Sequence, residues 1–149
     1  MSNNSVTIHQ VFKTSPEKVY RAFTDPNAMA SWFPPYGYVC VVHNMEARVG
    51  GSYKMSFVNF STGKEQSFGG KFLELKPNEF LKLSDKFDDP NLPGEITTSV
   101  SLKKVSGGTD FKVVQEGIPS AIPIDICYLG WQDSLDKLKK LVEPEIPDA

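Results

Sequence analysis

The first part of the chain changes from a strand pattern to a helix pattern. Apolar residues recur at alternate positions over residues 6–14, which predicts a first strand. Ser15-Pro16-Glu17 then supplies an N-cap side chain, a proline at the first helical position and an acid in the first turn, and this combination predicts a short helix. Thr24-Asp25-Pro26 repeats these signals, and Pro34-Pro35 ends the second segment. We therefore expect two short helices in tandem after the first strand.

The middle of the chain, residues 36–117, follows a period of two. Apolar and polar positions alternate over residues 38–49, 52–60, 65–75, 80–87, 95–105 and 110–116, and turn residues separate these segments. The separations are too short for crossover helices, so we expect an antiparallel, meandering and strongly curved sheet. Gly69-Gly70 interrupts one strand and predicts a bulge or a bend there.

Residues 121–142 form the one long helical pattern. An apolar stripe at spacings of three and four runs along it: Ile124, Tyr128, Trp131, Leu135, Leu138 and Val142. The first turns are apolar almost all round, so we expect the sheet to enclose the start of this helix and the short helices to cover part of it. The prediction is one α+β domain over residues 1–149, with an ordered core at about 6–142 and the order β-α-α-β6-α.

Strand alternation also assigns an inner face to the sheet, directed at the long helix. Large aromatic residues, methionines and isolated polar groups share this face, a composition typical of small-molecule pockets. Close packing in an ordinary core is the alternative for each residue. The residues predicted to bind a ligand are Trp32, Phe33, Val41, His43, Met45, Tyr53, Met55, Phe57, Phe72, Leu83, Phe87, Thr98, Val100, Phe111, Val113, Gln115, Ile124, Tyr128 and Trp131.

Composition narrows the classes of function. The chain has 40% apolar residues and a net charge of −2, with no basic excess of the kind that phosphate recognition needs, so we expect no nucleic-acid partner. No apolar run approaches the roughly 20 residues of a membrane span, and residues 1–6 lack a signal-peptide pattern, which predicts a cytoplasmic protein. Cys40 and Cys127 are expected to be reduced thiols, and with only 2 His we predict no metal site and no cofactor.

Several short motifs resemble those of one family. Glu46-Ala-Arg48-Val-Gly50-Gly51-Ser-Tyr53 is similar to the acid-x-Arg-x-Gly-Gly-x-aromatic signature of the activator of heat shock protein 90 ATPase homologue-like proteins. The motifs at 32–34, 70–77, 109–117 and 130–138 resemble other blocks of that family in the same order. Gln115 departs from the pattern, since many members have His-x-Gly or a near variant in this last strand. The resemblance covers about residues 6–142.

This resemblance implies the helix-grip fold of the START/Bet v 1-like (SRPBCC) superfamily, with a hydrophobic cavity between a curved seven-stranded antiparallel sheet and the C-terminal helix. It implies that the protein binds or carries a small hydrophobic or aromatic molecule, such as a lipid, a polyketide or a flavonoid-like compound, and is not an enzyme. One alternative is a cochaperone that activates the heat shock protein 90 ATPase. A further alternative is a cyclase-like or hydrolase-like enzyme that uses His43 as acid or base. Glu46 and Arg48 are expected to form a structural ion pair.

Overall fold

The computed structural model describes residues 4–148 and confirms the predicted helix-grip architecture. Residues 1–3, part of the segment in which no signal-peptide pattern was expected, lie outside the described residues. The elements are β1 (Val6–Phe12), α1 (Pro16–Thr24), α2 (Pro26–Trp32), β2 (Tyr38–Met45), β3 (Ser52–Asn59), β4 (Glu65–Lys76), β5 (Phe80–Phe87), β6 (Ile96–Val105), β7 (Gly108–Glu116) and α3 (Ile124–Val142). Within residues 4–148, no helix is long and apolar enough to cross a membrane.

The seven strands form one antiparallel sheet in the order β1-β7-β6-β5-β4-β3-β2. Each strand from β2 to β7 pairs with the next strand along the chain, and β1 pairs with β7, so β1 and β2 form the two edges. The buried side of α3 joins the inner face of the sheet in one hydrophobic core, in which Phe12, Phe72, Phe111, Leu135 and Leu138 are almost completely inaccessible to solvent.

Side-chain caps begin the two short helices, as the sequence predicts. The Ser15 side chain accepts a hydrogen bond from the Lys18 backbone N–H, and the Asp25 carboxylate accepts from the next two free N–H groups at 2.9 and 3.1 Å. Trp32 then joins the helices, because its indole N–H donates to the Ala22 carbonyl oxygen at 2.8 Å and its ring packs edge-on against Phe23. This junction fixes the end of α2, from which the chain reaches the edge of the sheet.

The predicted inner face of β2 is wrong. Val39, Val41 and His43 are exposed, whereas Cys40 is buried and Val42 and Met45 pack against the core. A bulge between Val42 and Asn44 shifts the alternation by one residue. Because β2 is an edge strand, its apolar outer positions remain accessible, and apolar character alone therefore did not reveal which side faces inward.

Gly69 and Gly70 of β4 allow the backbones of the neighbouring strands β3 and β5 to approach closely. A Cβ on Gly69 would lie 2.5 Å from the Tyr53 carbonyl oxygen, and one on Gly70 would lie 1.9 Å from the Ser84 carbonyl oxygen. The predicted irregularity of β4 is present, but the register shift falls between Phe72 and Glu74 rather than at the glycines. The glycines instead let β4 pass close to β3 and β5.

The signature motif is structural. Arg48 Nη2 lies 3.1 Å from Glu46 Oε2, and the Ser52 hydroxyl donates to the other Glu46 oxygen at 3.1 Å, so the motif closes the turn between β2 and β3. Gly50 has a φ of +81°, in the left-handed region that favours glycine, but Gly51 does not share this conformation. The role of Gly51 is steric, because a Cβ there would lie 2.1 Å from the Glu46 carbonyl oxygen.

The start of α3 differs from the prediction. The helix begins at Ile124 rather than at 121, and its first turns are not enclosed: Ile126 is 57% exposed and Leu129 is 55% exposed. Only the side that carries Cys127, Gly130 and Trp131 faces the interior. The expectation of enclosure on more than one side is therefore wrong, and an apolar ridge remains on the surface.

Candidate functional site

A cavity of about 150 Å³ lies between the sheet and the first half of α3. Its wall is formed by the ends of β3 to β7, the segment that precedes α3, the inward side of α3 and the chain after α2. The lining residues are Phe33, Pro35, Phe57, Phe68, Asp85, Phe87, Ile96, Gln115, Ile118, Ile122, Cys127, Gly130, Trp131 and Ser134. Most of this surface is apolar, so the cavity suits a small hydrophobic molecule.

Aromatic rings in contact with one another form one side of the cavity. Phe33 packs against Phe57 at 5.7 Å and against Trp131 at 5.8 Å between ring centroids. Phe68 continues this row, at 4.8 Å from Phe57 and 6.2 Å from Phe87. All four contacts are edge-to-face, an arrangement that aromatic pairs prefer, and they position the rings around the cavity.

Two hydrogen bonds from α3 hold the chain after α2 at the cavity. The Ser134 hydroxyl donates to the Phe33 carbonyl oxygen at 2.6 Å, and the Lys137 ammonium donates to the Pro34 carbonyl oxygen at 2.8 Å. Because Pro34-Pro35 ends α2, these carbonyl groups have no helical partners and are free to accept. The contacts tie the segment that carries Phe33 and Pro35 to the helix opposite.

Most polar side chains in and around the cavity already have partners. The Trp131 indole N–H donates to Gln115 Oε1 at 3.0 Å, and Gln115 Nε2 donates to the Thr98 hydroxyl at 3.3 Å. This chain of bonds connects α3 to β7 and β6 and satisfies the indole and one amide hydrogen. Its role is to position Trp131 and Gln115 in the cavity wall.

Asp85 is the exception among these polar groups. It lies on β5 between Leu83 and Phe87, and the two-residue alternation of the strand directs all three side chains to the inner face. Asp85 Oδ1 is buried, and within residues 4–148 it has no hydrogen-bond partner. Burial raises the pKa of this carboxyl from 3.8 to about 7, while the Lys86 backbone N–H limits the rise.

The neighbouring hydroxyl of Tyr53 does not satisfy Asp85 Oδ1. Tyr53 donates its single hydroxyl hydrogen to the Ser84 carbonyl oxygen at 2.8 Å. Burial, together with the nearby Asp85 carboxyl, raises the pKa of Tyr53 well above its ordinary value, so the phenol keeps its proton. The structure thus holds a buried carboxylate oxygen at a hydrophobic cavity without a donor for it.

Comparison with known proteins identifies the family. The family described as activator of Hsp90 ATPase homolog 1-like protein matches residues 13–143. The chain belongs to this family. Its sequence is 52% identical to a protein from Chromobacterium violaceum whose crystal structure superposes with a TM-score of 0.94, over 95% of this chain and 99% of that one. The resemblance predicted from the motifs is therefore confirmed.

More distant structures share the fold of this AHSA1-like chain. A protein from Rhodobacter sphaeroides is 19% identical over 92% of this chain and 90% of its own, with a TM-score of 0.81. The AHSA1-like protein from Aeromonas hydrophila is 20% identical over 93% of this chain and 92% of its own, with a TM-score of 0.76. No curated protein matches the chain.

The structure of this AHSA1-like protein distributes the predicted ligand-binding residues over several places. Phe33, Phe57, Phe87, Gln115 and Trp131 line the cavity. A larger group does not line it and instead packs in or against the core: Trp32, Met45, Tyr53, Met55, Phe72, Leu83, Thr98, Val100, Phe111, Val113 and Ile124. These residues therefore follow the alternative given above, close packing in an ordinary core. Tyr53 and Thr98 also contact residues of the cavity wall.

Three predicted positions do not face the cavity at all. Val41 and His43 lie on the exposed side of β2, where His43 Nε2 is 2.7 Å from the Ser56 hydroxyl oxygen. Tyr128 is 40% exposed on the outer side of α3. The placement of Val41 and His43 is wrong because of the bulge in β2, and that of Tyr128 because the first turns of α3 are covered on one side only.

The prediction missed Asp85, the most unusual group of the site. The alternation that placed Leu83 and Phe87 on the inner face also places Asp85 there, so a signal was present in the sequence. Ile118, Ile122 and Cys127 were missed for another reason, because they come from the connection and the helix that meet the sheet only in the folded chain. Burial also raises the pKa of the Cys127 thiol, which keeps it protonated and unreactive.

Proposed function

We propose that this protein binds a small hydrophobic molecule, with an aromatic ring as its main recognised feature, in the cavity between the sheet and α3. The observation that carries the proposal is an apolar cavity of about 150 Å³ bounded by Phe33, Phe57, Phe68 and Phe87. An apolar cavity of about this size holds one benzene-sized ring. A lipid, a polyketide or a flavonoid-like molecule would place one ring or chain segment inside and extend through the opening.

The proposal is binding without catalysis. His43, the acid-base candidate from the sequence, lies outside the cavity, and the hydrogen bonds of Trp131 and Tyr53 are already used within the protein. A reaction at a carbonyl or phosphoryl group would need donors directed at the substrate as well as a base. The cochaperone alternative stays a prediction, to be tested by adding the purified protein to a heat shock protein 90 ATPase assay.

The two tryptophans allow a direct test of binding. Trp131 lines the cavity, whereas the Trp32 indole is buried against Ala22 and does not line it, so its signal serves as an internal control. Titrations with toluene, naringenin and decanoate would be followed by the indole ¹H–¹⁵N signals. We expect at least the one-ring probe to shift the Trp131 signal much more than that of Trp32.

A glycine in the cavity wall supplies the matched variants. Gly130 lies on α3 in the wall, and a Cβ there would meet only Pro35, at 4.0 Å. Gly130→Ala should leave room for the probe, whereas the larger side chain of Gly130→Leu should fill the space and abolish the shift of Trp131. Absence of any shift with all three probes would contradict the proposal, as would shifts that persist unchanged in Gly130→Leu.

A further inference from the structure

The cavity combines features that a purely hydrophobic ligand would not need. Asp85 Oδ1 is buried at the wall without a hydrogen-bond partner, although nearly all buried polar atoms of folded proteins have one. The remaining wall is dominated by aromatic and aliphatic side chains. A buried carboxylate oxygen without a donor is costly for the protein, and a ligand that supplies a donor or a positive charge would remove that cost.

The described part of the chain places no cation beside Asp85. Within residues 4–148, the lining of the cavity contains no lysine, arginine or histidine. Lys86 follows Asp85 in the chain, but its side chain is exposed on the other face of the strand. Among the residues that the structure describes, none supplies a positive charge to Asp85, so a bound ligand is the remaining source.

The aromatic wall favours a cation over an uncharged donor. Phe57, Phe68 and Phe87 lie with Asp85 along the same cavity, and aromatic faces attract an organic cation, most strongly where water is excluded. A carboxylate and aromatic rings that line the same cavity can contact one ammonium group together. A neutral hydroxyl would use the carboxylate but gain little from the rings.

We propose that the cavity binds a small aromatic amine, whose ring packs among the phenylalanines and whose ammonium group pairs with Asp85. This inference rests on the proposed function, since it names the polar group of the same ligand. The volume of about 150 Å³ limits the enclosed part to a single ring with a short aminoalkyl substituent. Amine binding requires no covalent step.

The pH dependence of binding should follow the titration of Asp85, because the other titratable groups that face it among residues 4–148 stay neutral near pH 7. Tyr53 on β3 and Cys127 on α3 both have a raised pKa and stay neutral near pH 7. Gln115, Trp131 and Ser134, which complete the polar part of the lining, do not titrate. Because the pKa of Asp85 is about 7, the carboxylate is scarce at lower pH and abundant at higher pH.

Three probes of nearly equal shape test the proposal: benzylamine, benzyl alcohol and toluene. Dissociation constants come from the indole signal of Trp131, with Trp32 as the internal control, for the wild type, Asp85→Asn and Asp110→Asn. Asp110 lies near the start of β7, contacts His9 and does not line the cavity, so Asp110→Asn removes the same charge away from the site. Thermal unfolding of each variant checks that it is folded.

At about pH 8 we expect benzylamine to bind the wild type at least about tenfold more tightly than benzyl alcohol or toluene. At about pH 5.5 its affinity should fall by about thirtyfold, because only a few per cent of the molecules then carry the carboxylate. Asp85→Asn should remove the advantage of benzylamine, and Asp110→Asn should retain it. The pH dependence of the wild type tests the inference without any variant.

The alternative outcomes separate this inference from the proposed function. If benzyl alcohol binds as tightly as benzylamine and both need Asp85, the ligand group is a neutral donor and the ammonium assignment is wrong. If all three probes bind equally and Asp85→Asn changes nothing, the cavity binds rings without using the carboxylate, so the proposed function stands and this inference fails. If no probe binds, this inference is overturned. The titrations with naringenin and decanoate then test the proposed function separately.

Discussion

The buried carboxyl of Asp85 should make the stability of the free protein depend on pH. Its pKa rises from 3.8 to about 7 in the folded chain, mainly through burial. Between these values the folded state holds a proton that the unfolded state has lost, so the free energy of unfolding decreases as the pH rises and becomes level above about 7. At about 1.4 kcal/mol for each unit of pKa difference, the total loss is about 4 kcal/mol.

Asp85→Asn isolates this effect, because the amide has nearly the same shape and never ionises. We expect the variant and the wild type to differ little in the free energy of unfolding at about pH 4, where Asp85 is protonated in the folded state and only about half ionised in the unfolded state. The variant should become more stable than the wild type as the pH rises, by up to about 4 kcal/mol at about pH 8. The contributions of all other titrating groups cancel in this difference.

Urea denaturation followed by tryptophan fluorescence measures the difference across the pH range. Asp110→Asn serves as the control, since the Asp110 carboxylate, which contacts His9 and is 35% exposed, carries the same charge without comparable burial. A difference between Asp85→Asn and wild type that stays constant from about pH 4 to about pH 8 would refute the reasoning. It would mean that water or a rearranged donor reaches Oδ1 and keeps the carboxyl near its ordinary pKa.

Three further substitutions test the structure, each by denaturant unfolding. Gly70→Ala should lower the free energy of unfolding by roughly 2–4 kcal/mol, because its Cβ would lie 1.9 Å from the Ser84 carbonyl oxygen. An unchanged denaturation midpoint would show that β4 and β5 can move apart to accept the methyl group. Gly130→Ala should instead raise the free energy of unfolding by roughly 0.5–1 kcal/mol, because alanine favours a helix more than glycine does and its Cβ has room beside Pro35. A lower free energy of unfolding would contradict this prediction. Asp25→Ala should cost about 1 kcal/mol through the lost cap of α2, and Asp25→Asn should restore most of it.

Local signals predicted the strands and helices well. Ser15 and Asp25 cap α1 and α2 at the predicted positions, because a cap depends on a few adjacent residues. The antiparallel order of β2 to β7 followed from short connections, which leave few alternatives for how neighbouring strands pair. Leu135 and Leu138 were expected on the buried stripe of α3, where they lie.

The candidate site was predicted only in part. Phe33, Phe57 and Trp131 were expected at the cavity and line it, whereas Phe72 and Phe111, which were also expected there, pack in the core. His43 was misplaced because one extra residue in a strand reverses the face of every residue beyond it, and a bulge leaves little trace in composition. Asp85 was overlooked because a charged residue in a strand usually marks the solvent side.

The amino-acid sequence by itself therefore determined the elements, their antiparallel order, the family and the general hydrophobic character of the interior, because these depend on periodicity, caps and short turns. Only the tertiary structure decided which side chains share the cavity. That arrangement depends on how Ile118, Ile122 and α3 meet the ends of the strands, contacts between residues far apart in the chain. It also decided the state of Asp85, because the pKa of a carboxyl is set by the water, charges and donors that the folded chain leaves around it.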